Sequence, residues 1–250
     1  MILQRHEEPN WLSNTWLVAA GRGEDALLVD AGISGKTILA AAADQDLKIK
    51  MILLTHHHLD HAGHAAAIAR RTGAEVVAHE AEIPLFGRVA PVTQVVGDNA
   101  RLTCGGLSIK ALHIPGHTAG QLAFHLEGVG LFTGDTLFRR SIGGTMAPGH
   151  TTFADLRYSL LERLLAFPDD EKVLPGHRLP STIGEERAKN PFLRVMLGVD
   201  PEAEETADLG GQEIKLVVWA RDYDGGHKAW IRRPDGSQDV VPGSRIRRRP

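Results

Sequence analysis

The feature that most constrains the fold of this chain is a short loop dense in histidine and aspartate. Within six positions it contains four candidate metal ligands: His56, His58, Asp60 and His61. The apolar run over 51–54 predicts a buried strand before the loop. The alanine-rich run over 65–71 predicts a helix after it. The loop therefore follows the carboxyl end of a strand, where open α/β sheets bind their ligands.

The composition of this loop favours a metal site. Neutral imidazole and carboxylate are ligands that suit zinc or iron. The spacing His-x-His-x-Asp-His is too tight for one ion to use every side chain, whereas one such loop can supply two adjacent ions. The alternative is a surface loop that happens to be rich in histidine. A single histidine would favour that alternative, but four ligand-type residues between a predicted strand and a predicted helix favour metal binding.

Three further candidate ligands also follow predicted strands. They are His117 after a strand over 107–113, Asp135 after a strand over 129–133, and His177 after a strand over 172–174. A carboxylate has two oxygens and can bridge two cations, whereas the alternative role for an aspartate at such a position is a turn or helix cap. Asp30 has a comparable ambiguity. It could hold a ligand histidine by its outer N–H, or it could cap a helix over 36–43.

These motifs resemble those of the metallo-β-lactamase superfamily, and within it those of glyoxalase II and related short hydrolases. The resemblance rests on four sequences in the family's order: Thr-His-His-His-Leu-Asp-His at 55–61, Pro-Gly-His-Thr at 115–118, Thr-Gly-Asp-Thr-Leu-Phe at 133–138 and Pro-Gly-His at 175–177. It extends from about the N-terminus to Leu193. With the predicted helices at 34–45, 63–72 and 153–167, it implies an α+β fold, a four-layer αβ/βα sandwich over residues 1–198.

The resemblance also implies a site with two divalent metal ions, for which zinc is favoured over iron or manganese. The first ion would be held by His56, His58 and His117. The second would be held by Asp60, His61 and His177, with Asp135 bridging the two. Asp60 and Asp135 are the candidate catalytic residues, and His57, which lies between ligands, is expected to point away from the metals.

The C-terminal quarter of the chain departs from glyoxalase II. An acidic linker is predicted over 199–211, followed by a small β-rich appendage over 212–250 with strands at 214–219, 228–232 and 238–241. We expect this element to pack on the core and to shape the entrance of the pocket. Glyoxalase II instead has a helical C-terminal domain that contacts glutathione, and the run Gly-Gly-Thr-Met at 143–146 replaces its usual Gly-Arg-Thr-Asp. These departures leave the thiol part of the substrate open.

Composition narrows the class of partner. The chain has 250 residues, a formal net charge of −3 and one cysteine, Cys104. The weak negative charge disfavours nucleic acid as a partner, and therefore a nuclease. The N-terminus lacks the pattern of a signal peptide, and no apolar run reaches the length of a membrane span. We therefore expect a cytoplasmic enzyme with a small-molecule substrate. A true β-lactamase is disfavoured by Asp60 within the histidine motif.

The predicted reaction is hydrolysis of an activated acyl compound, a thioester of the acylglutathione type or a related substrate. The chain offers seven metal ligands but no nucleophile triad, and Cys104 lies in a turn that no motif connects to the ligands. The nucleophile would then be a hydroxide that bridges the metals. One alternative is a persulfide dioxygenase with a single iron. Another is a non-catalytic binding protein, which the complete ligand set disfavours.

Overall fold

A computed structural model describes residues 1–248. Its first sheet has six strands, which lie side by side in chain order. The strands are β1 (Ile2–Glu7), β2 (Asn14–Ala19), β3 (Asp25–Val29), β4 (Lys48–Leu53), β5 (Glu75–Ala78) and β6 (Gln94–Val95). The first three pair antiparallel, and β3 to β6 pair parallel. The parallel half brings the ligand loop after β4 to a carboxyl edge of the sheet.

The second sheet has the order β14-β13-β10-β9-β8-β7. Its strands are β7 (Arg101–Cys104), β8 (Leu107–His113), β9 (Leu122–Leu126), β10 (Gly130–Gly134), β13 (Lys172–Pro175) and β14 (Ser181–Thr182). A separate short hairpin consists of β11 (Leu137–Phe138) and β12 (Ser141–Ile142). Within this sheet, over the residues that the structure describes, only β10 and β13 pair parallel. Both six-stranded sheets are therefore mixed.

The helices are short and connect or cover the strands. They are α1 (Gly35–Asp44), α2 (Leu59–Ala62), α3 (Ala65–Thr72), α4 (Ile83–Phe86), α5 (Phe153–Tyr158), α6 (Ile183–Lys189) and α7 (Pro191–Met196). The helix predicted over 153–167 is shorter than expected, because after α5 the chain continues as a π-helical segment, Ser159–Leu164. No helix within residues 1–248 is long and apolar enough to cross a membrane.

The core lies between the two sheets and beneath the helices on their outer faces. Strand β2 shows the principle, because successive side chains of a strand point to opposite faces. Trp16 and Val18 belong to the apolar layer between the sheets, whereas Leu17 and Ala19 pack in the layer with α1 and α3. A third layer lies on the outer face of the second sheet, against α5 and α7. The predicted four-layer sandwich is confirmed.

The C-terminal region forms a third large sheet, with the order β18-β17-β16-β15-β19. Its strands are β15 (Glu205–Leu209), β16 (Gln212–Arg221), β17 (His227–Arg232), β18 (Gln238–Pro242) and β19 (Ile246–Arg248). The predicted linker over 199–211 was therefore too long, since β15 lies inside it. The acidic composition of this segment did not predict a strand. β15 has no apolar pattern of its own and is stabilised by pairing with β16 and β19 on its two sides.

The C-terminal sheet packs on the core domain, as predicted. Val217, Trp230 and Val240 are buried in the same apolar cluster as α5 and α7. The Trp230 ring stacks on Phe153 with centroids 4.8 Å apart. Two hydrogen bonds join Thr145 to Val240. The run at 143–146, where the chain departs from glyoxalase II, is thus the docking edge for this sheet.

Candidate metal centre

The structure brings all seven predicted ligands to one edge of the sandwich. The loop after β4 carries His56 and His58, and its short helix α2 carries Asp60 and His61. The ends of β8, β10 and β13 lead to the other three: His117, Asp135 and His177. Each ligand lies where its strand runs out, because the carboxyl ends of neighbouring strands meet at the same edge.

The first group consists of His56, His58 and His117. The Nε2 atom of His56 is 2.9 Å from Nδ1 of His58, and Nε2 of His117 is 3.1 Å from the same Nδ1. Ligand atoms about 2.1 Å from a tetrahedral zinc ion are about 3.4 Å apart. The three nitrogens are therefore spaced for one small cation.

The second group consists of Asp60, His61 and His177. The Nε2 atoms of His61 and His177 are 3.3 Å apart, and Asp60 Oδ2 is 3.3 Å and 3.5 Å from them. These separations match the edge of the same coordination polyhedron. The second group is therefore as complete as the first.

Asp135 lies between the two groups. Its Oδ2 atom is 3.6 Å from Nε2 of His117 in the first group and 3.3 Å from Nε2 of His177 in the second. Its Oδ1 atom is buried, makes no hydrogen bond among residues 1–248, and lies 3.2 Å from Nε2 of His61. A buried carboxylate needs a positively charged partner, and a bound cation would supply one. Gly176 is required beside it, since a Cβ there would come within 2.3 Å of Oδ1.

The outer nitrogens of the five histidines all have hydrogen-bond acceptors. The acceptors are the Thr55 hydroxyl for His56, the Pro148 carbonyl for His58, the Asp30 carboxylate for His61, the Gly144 carbonyl for His117 and the Trp11 carbonyl for His177. A neutral imidazole that donates from one nitrogen carries a lone pair on the other. When all five rings are neutral, five lone pairs and two carboxylates converge on one space, which is the donor set of a cation site.

Charge is distributed unequally between the two groups. Burial lowers the pKa of His117 to about 4 and the pKa of His56 well below its ordinary value. Burial also opposes protonation of His61, but attraction to Asp135, Asp60 and Asp30 raises the pKa of that imidazole well above its ordinary value. His56 and His117 of the first group are thus neutral lone-pair donors, whereas the second group carries the carboxylate of Asp60 and lies beside those of Asp30 and Asp135, which compensate a cation.

Asp30 supports His61, as one of the two interpretations of the sequence predicted. Its Oδ2 accepts from His61 Nδ1 at 2.8 Å, and its Oδ1 accepts from the Thr55 amide at 2.8 Å. The alternative is wrong, because the residue that precedes α1 at the cap position is Ser34. Asp30 has a φ of +61°, a left-handed conformation that aspartate tolerates better than most residues.

His57 points away from the centre, as predicted. Its amide donates to Glu82 Oε2 at 2.9 Å, and its Nδ1 contacts the same oxygen. The other oxygen of Glu82 accepts from the Gly120 amide at 2.7 Å. Glu82 thereby joins the loop of His56–His58 to the loop after His117. Sequence reasoning missed it, since it lies in an irregular stretch whose pattern indicates no contact.

A π-helical turn anchors the loop that carries His117. The Ser159 hydroxyl donates to the Pro115 carbonyl at 2.7 Å. Gly116 has a φ of +141°, and a Cβ there would come within 2.5 Å of the Leu156 backbone. The loop therefore packs directly against α5, which fixes the direction of the His117 ring.

Tyr223, from the hairpin between β16 and β17, forms a wall of the centre. Its ring stacks on His177 with centroids 4.2 Å apart and an interplanar angle of 20°. It separates a cavity of about 320 Å³ on the side of His117 from one of about 430 Å³ on the side of His177. The C-terminal sheet therefore shapes the entrance, as predicted. The sequence pattern marked the hairpin but not this tyrosine.

Comparison with known proteins agrees with the geometry. The family model described as the metallo-beta-lactamase superfamily matches residues 9–177. The chain belongs to the metallo-β-lactamase superfamily. The matched range includes all seven predicted ligands and ends before the C-terminal sheet, so Tyr223 lies outside it.

Several members of this superfamily are similar to the chain over most of its length. A hydroxyacylglutathione hydrolase of Anaeromyxobacter dehalogenans is 34% identical over 244 residues, which are 82% of this chain and 92% of the relative. The hydroxyacylglutathione hydrolase GloC of Haemophilus influenzae is 32% identical over 188 residues, 68% of this chain and 88% of the relative.

Two solved structures superpose well on the chain. TTHA1623 in a di-iron-bound form has a TM-score of 0.68 and 33% identity, covering 76% of this chain and 100% of that one. ETHE1 from Myxococcus xanthus has a TM-score of 0.69 and 27% identity, covering 80% and 92%. About a quarter of the present chain has no counterpart in TTHA1623.

Proposed function

We propose that this protein is a dinuclear metallohydrolase that cleaves a thioester, or a related activated acyl compound, with water as the nucleophile. The observation that carries the proposal is the convergence of five imidazole lone pairs and two carboxylates in two groups that share Asp135. Two divalent cations held there would lower the pKa of a bound water to about 7 and would polarise a carbonyl.

The residues of the chain have distinct roles in this proposal. His56, His58 and His117 would hold the first cation, and Asp60, His61 and His177 the second. Asp135, which lies between the two groups, would be shared by both cations, and Asp60 and Asp135 would also help to position the water nucleophile. The outer acceptors fix each ring before the cations bind, so little reorganisation is needed.

The alternative of a cysteine nucleophile is disfavoured by the structure. Cys104 is buried, and its Sγ donates toward the Ala26 carbonyl at 3.6 Å, in the core between the sheets. Burial raises the pKa of this thiol to about 11, so the reactive thiolate is suppressed at neutral pH. A thioester also suits a site without a strong general acid, because a thiolate leaves with little need of protonation.

Zinc is the favoured metal, with iron and manganese as the alternatives. Imidazole and carboxylate ligands suit zinc and iron alike, and the similar structure of TTHA1623 is a di-iron-bound form. A single-iron persulfide dioxygenase would need only one of the two ligand groups. The completeness of the second group therefore favours the hydrolase.

The test measures metal content, thioester hydrolysis and oxygen uptake on one preparation. We expect about two metal ions per chain, cleavage of a simple acyl thioester, and no oxygen uptake with glutathione persulfide. Asp135→Ala should lower both metal content and rate, because the shared carboxylate is lost, whereas the exposed Asp170→Ala serves as the control. Iron-dependent oxygen uptake without thioester cleavage would overturn the proposal in favour of the dioxygenase.

A further inference from the structure

The cavity on the side of His177 differs in charge from its neighbour. Three arginines, Arg5, Arg139 and Arg178, line it together with one carboxylate, Glu7. Its lining therefore carries two net positive charges. The cavity on the side of His117 has Lys228 and Arg245 opposite Asp222 and Asp224, so its side chains balance. An anionic part of a substrate would select the arginine cavity.

Two of the three guanidinium groups are held in place by the protein. Arg5 Nη1 donates to Glu7 at 2.8 Å and to the Arg178 carbonyl at 2.8 Å. Arg178 Nε donates to the Tyr223 carbonyl at 3.2 Å, and its Nη1 is 3.4 Å from Glu7. Each guanidinium has five N–H donors in a fixed fork, so both retain donors for a ligand. Their orientation is set before a ligand binds, which reduces the entropy lost on binding.

Arg139 is the free cation of this cavity. It is exposed and makes no ion pair with any residue in the range 1–248. Glu7 already pairs with the other two arginines. A ligand carboxylate or phosphate could therefore pair with Arg139 without displacing an existing partner. Arginine binds such oxyanions through two parallel N–H bonds, which adds geometric specificity.

The backbone at Arg178 is strained in a way that serves this cavity. Arg178 has a φ of +62°, a left-handed conformation that is costly for an arginine. Its amide donates to the Leu12 carbonyl at 3.2 Å, and its carbonyl accepts from Asn14 Nδ2 at 2.8 Å. The residue directly follows His177, so the same turn delivers a predicted metal ligand and a cavity arginine. Strain maintained by several tertiary contacts is typical of functional positions.

We propose that the arginine cavity is an anion subsite, which binds a carboxylate or phosphate group carried by the thioester substrate on one side of its reacting carbonyl. The proposal rests on the proposed hydrolase function. Because His177 is a candidate metal ligand and also lines this cavity, an anion bound beside Arg139 and Arg178 would hold the thioester next to the centre. A cavity of about 430 Å³ has the size of a small-molecule site. The subsite lies outside the metal ligands and uses Arg178, beyond the matched family range.

The test compares three thioesters of one acyl group on the metal-loaded protein. Their thiols are N-acetylcysteamine, which is neutral, 3-mercaptopropionate, which carries a carboxylate, and 4′-phosphopantetheine, which carries a phosphate. We expect the wild type to have a KM about tenfold lower for an anionic thioester than for the neutral one. In Arg139→Gln and Arg178→Gln the KM for the anionic substrate should rise about tenfold with little change in kcat. The comparison of carboxylate and phosphate identifies the source of the anion.

Arg140→Gln is the matched control. Arg140 adjoins Arg139, lies outside the cavity lining, and has the same φ of +62° as Arg178. It should leave all three KM values unchanged, which separates loss of the subsite from loss of a surface charge or of backbone strain. Equal effects in the Arg139 and Arg140 variants would overturn the proposal.

A binding measurement separates this proposal from the proposed function. Succinate and inorganic phosphate are titrated calorimetrically into the metal-loaded wild type and the three variants. If no thioester is cleaved but Arg139→Gln weakens succinate or phosphate binding and Arg140→Gln does not, the hydrolase proposal fails and the anion subsite stands. If all thioesters are cleaved equally by every variant, the subsite is refuted while the hydrolase stands.

Discussion

Replacing Asp30 by alanine should weaken cation binding although it removes none of the seven donors. The buried Asp30 carboxylate accepts hydrogen bonds from the Thr55 amide at 2.8 Å, the Thr55 hydroxyl at 2.9 Å and His61 Nδ1 at 2.8 Å. Without it, His61 loses the acceptor that fixes its tautomer and its orientation. Loss of such an outer partner typically weakens metal affinity 10–100-fold, and we expect a change of about that size.

The same change should destabilise the metal-free protein. The Thr55 amide and His61 Nδ1 lose their acceptor in a buried place, at about 1–3 kcal/mol each. Burial raises the pKa of Asp30 despite the attraction of His61, so removal of this carboxylate also relieves a desolvation cost. The two lost acceptors together would cost about 2–6 kcal/mol. Because the desolvation cost is relieved, we expect the free energy of unfolding to fall by about 2 kcal/mol, the lower end of that range.

Asp46→Ala is the matched control for Asp30→Ala. Asp46 has a φ of +57°, close to the +61° of Asp30, but it is exposed, and its one ion pair within residues 1–248 is with Arg22 at the surface. Its replacement should cost about 1 kcal/mol or less and leave metal affinity unchanged. Affinity is measured by competition with a chromophoric chelator, and stability by urea unfolding. Equal metal affinity in the two variants would refute the supporting role of Asp30.

Three further outcomes are expected. Tyr223→Ala should raise the KM for a thioester about tenfold, because the ring that stacks 4.2 Å from His177 is lost. Tyr223→Phe keeps the ring, so its KM should stay within about threefold of the wild-type value. Steady-state kinetics in which both variants behave alike would contradict this. Chelation should abolish hydrolysis and lower the Tm. Metal at 100 times its Kd should raise the free energy of unfolding of the metal-free protein by about 2.7 kcal/mol. An unchanged Tm in calorimetry would contradict a metal site. Because the pKa of Cys104 is raised to about 11, the thiol stays neutral at pH 8 and should react with a thiol reagent only after unfolding; rapid labelling of the native protein at that pH would disprove its burial.

Local pattern was sufficient to predict the strands and the ligand loops, and the resemblance to the metallo-β-lactamase superfamily supplied the four-layer sandwich. Each of the strands β4, β8, β10 and β13 is a short apolar or alternating run, and each leads within a few residues to histidine or aspartate. Such patterns are local, because the period of a strand and the residues that follow it are contiguous in the chain. The same kind of local pattern predicted that the C-terminal region forms strands, although it did not predict β15 and β19.

Contacts between distant segments were decided only by the tertiary structure. Glu82 joins two ligand loops, Tyr223 stacks on His177 across 46 positions of the chain, and Arg5 meets Arg178 from the opposite end of the core domain. The hydrogen-bond acceptor of each imidazole, and therefore its tautomer, also depends on a neighbour supplied by packing. The periodicity of the sequence does not predict these features, because they arise where sheets and hairpins meet. The free energy that stabilises them comes from burial and pairing between segments rather than from any segment alone.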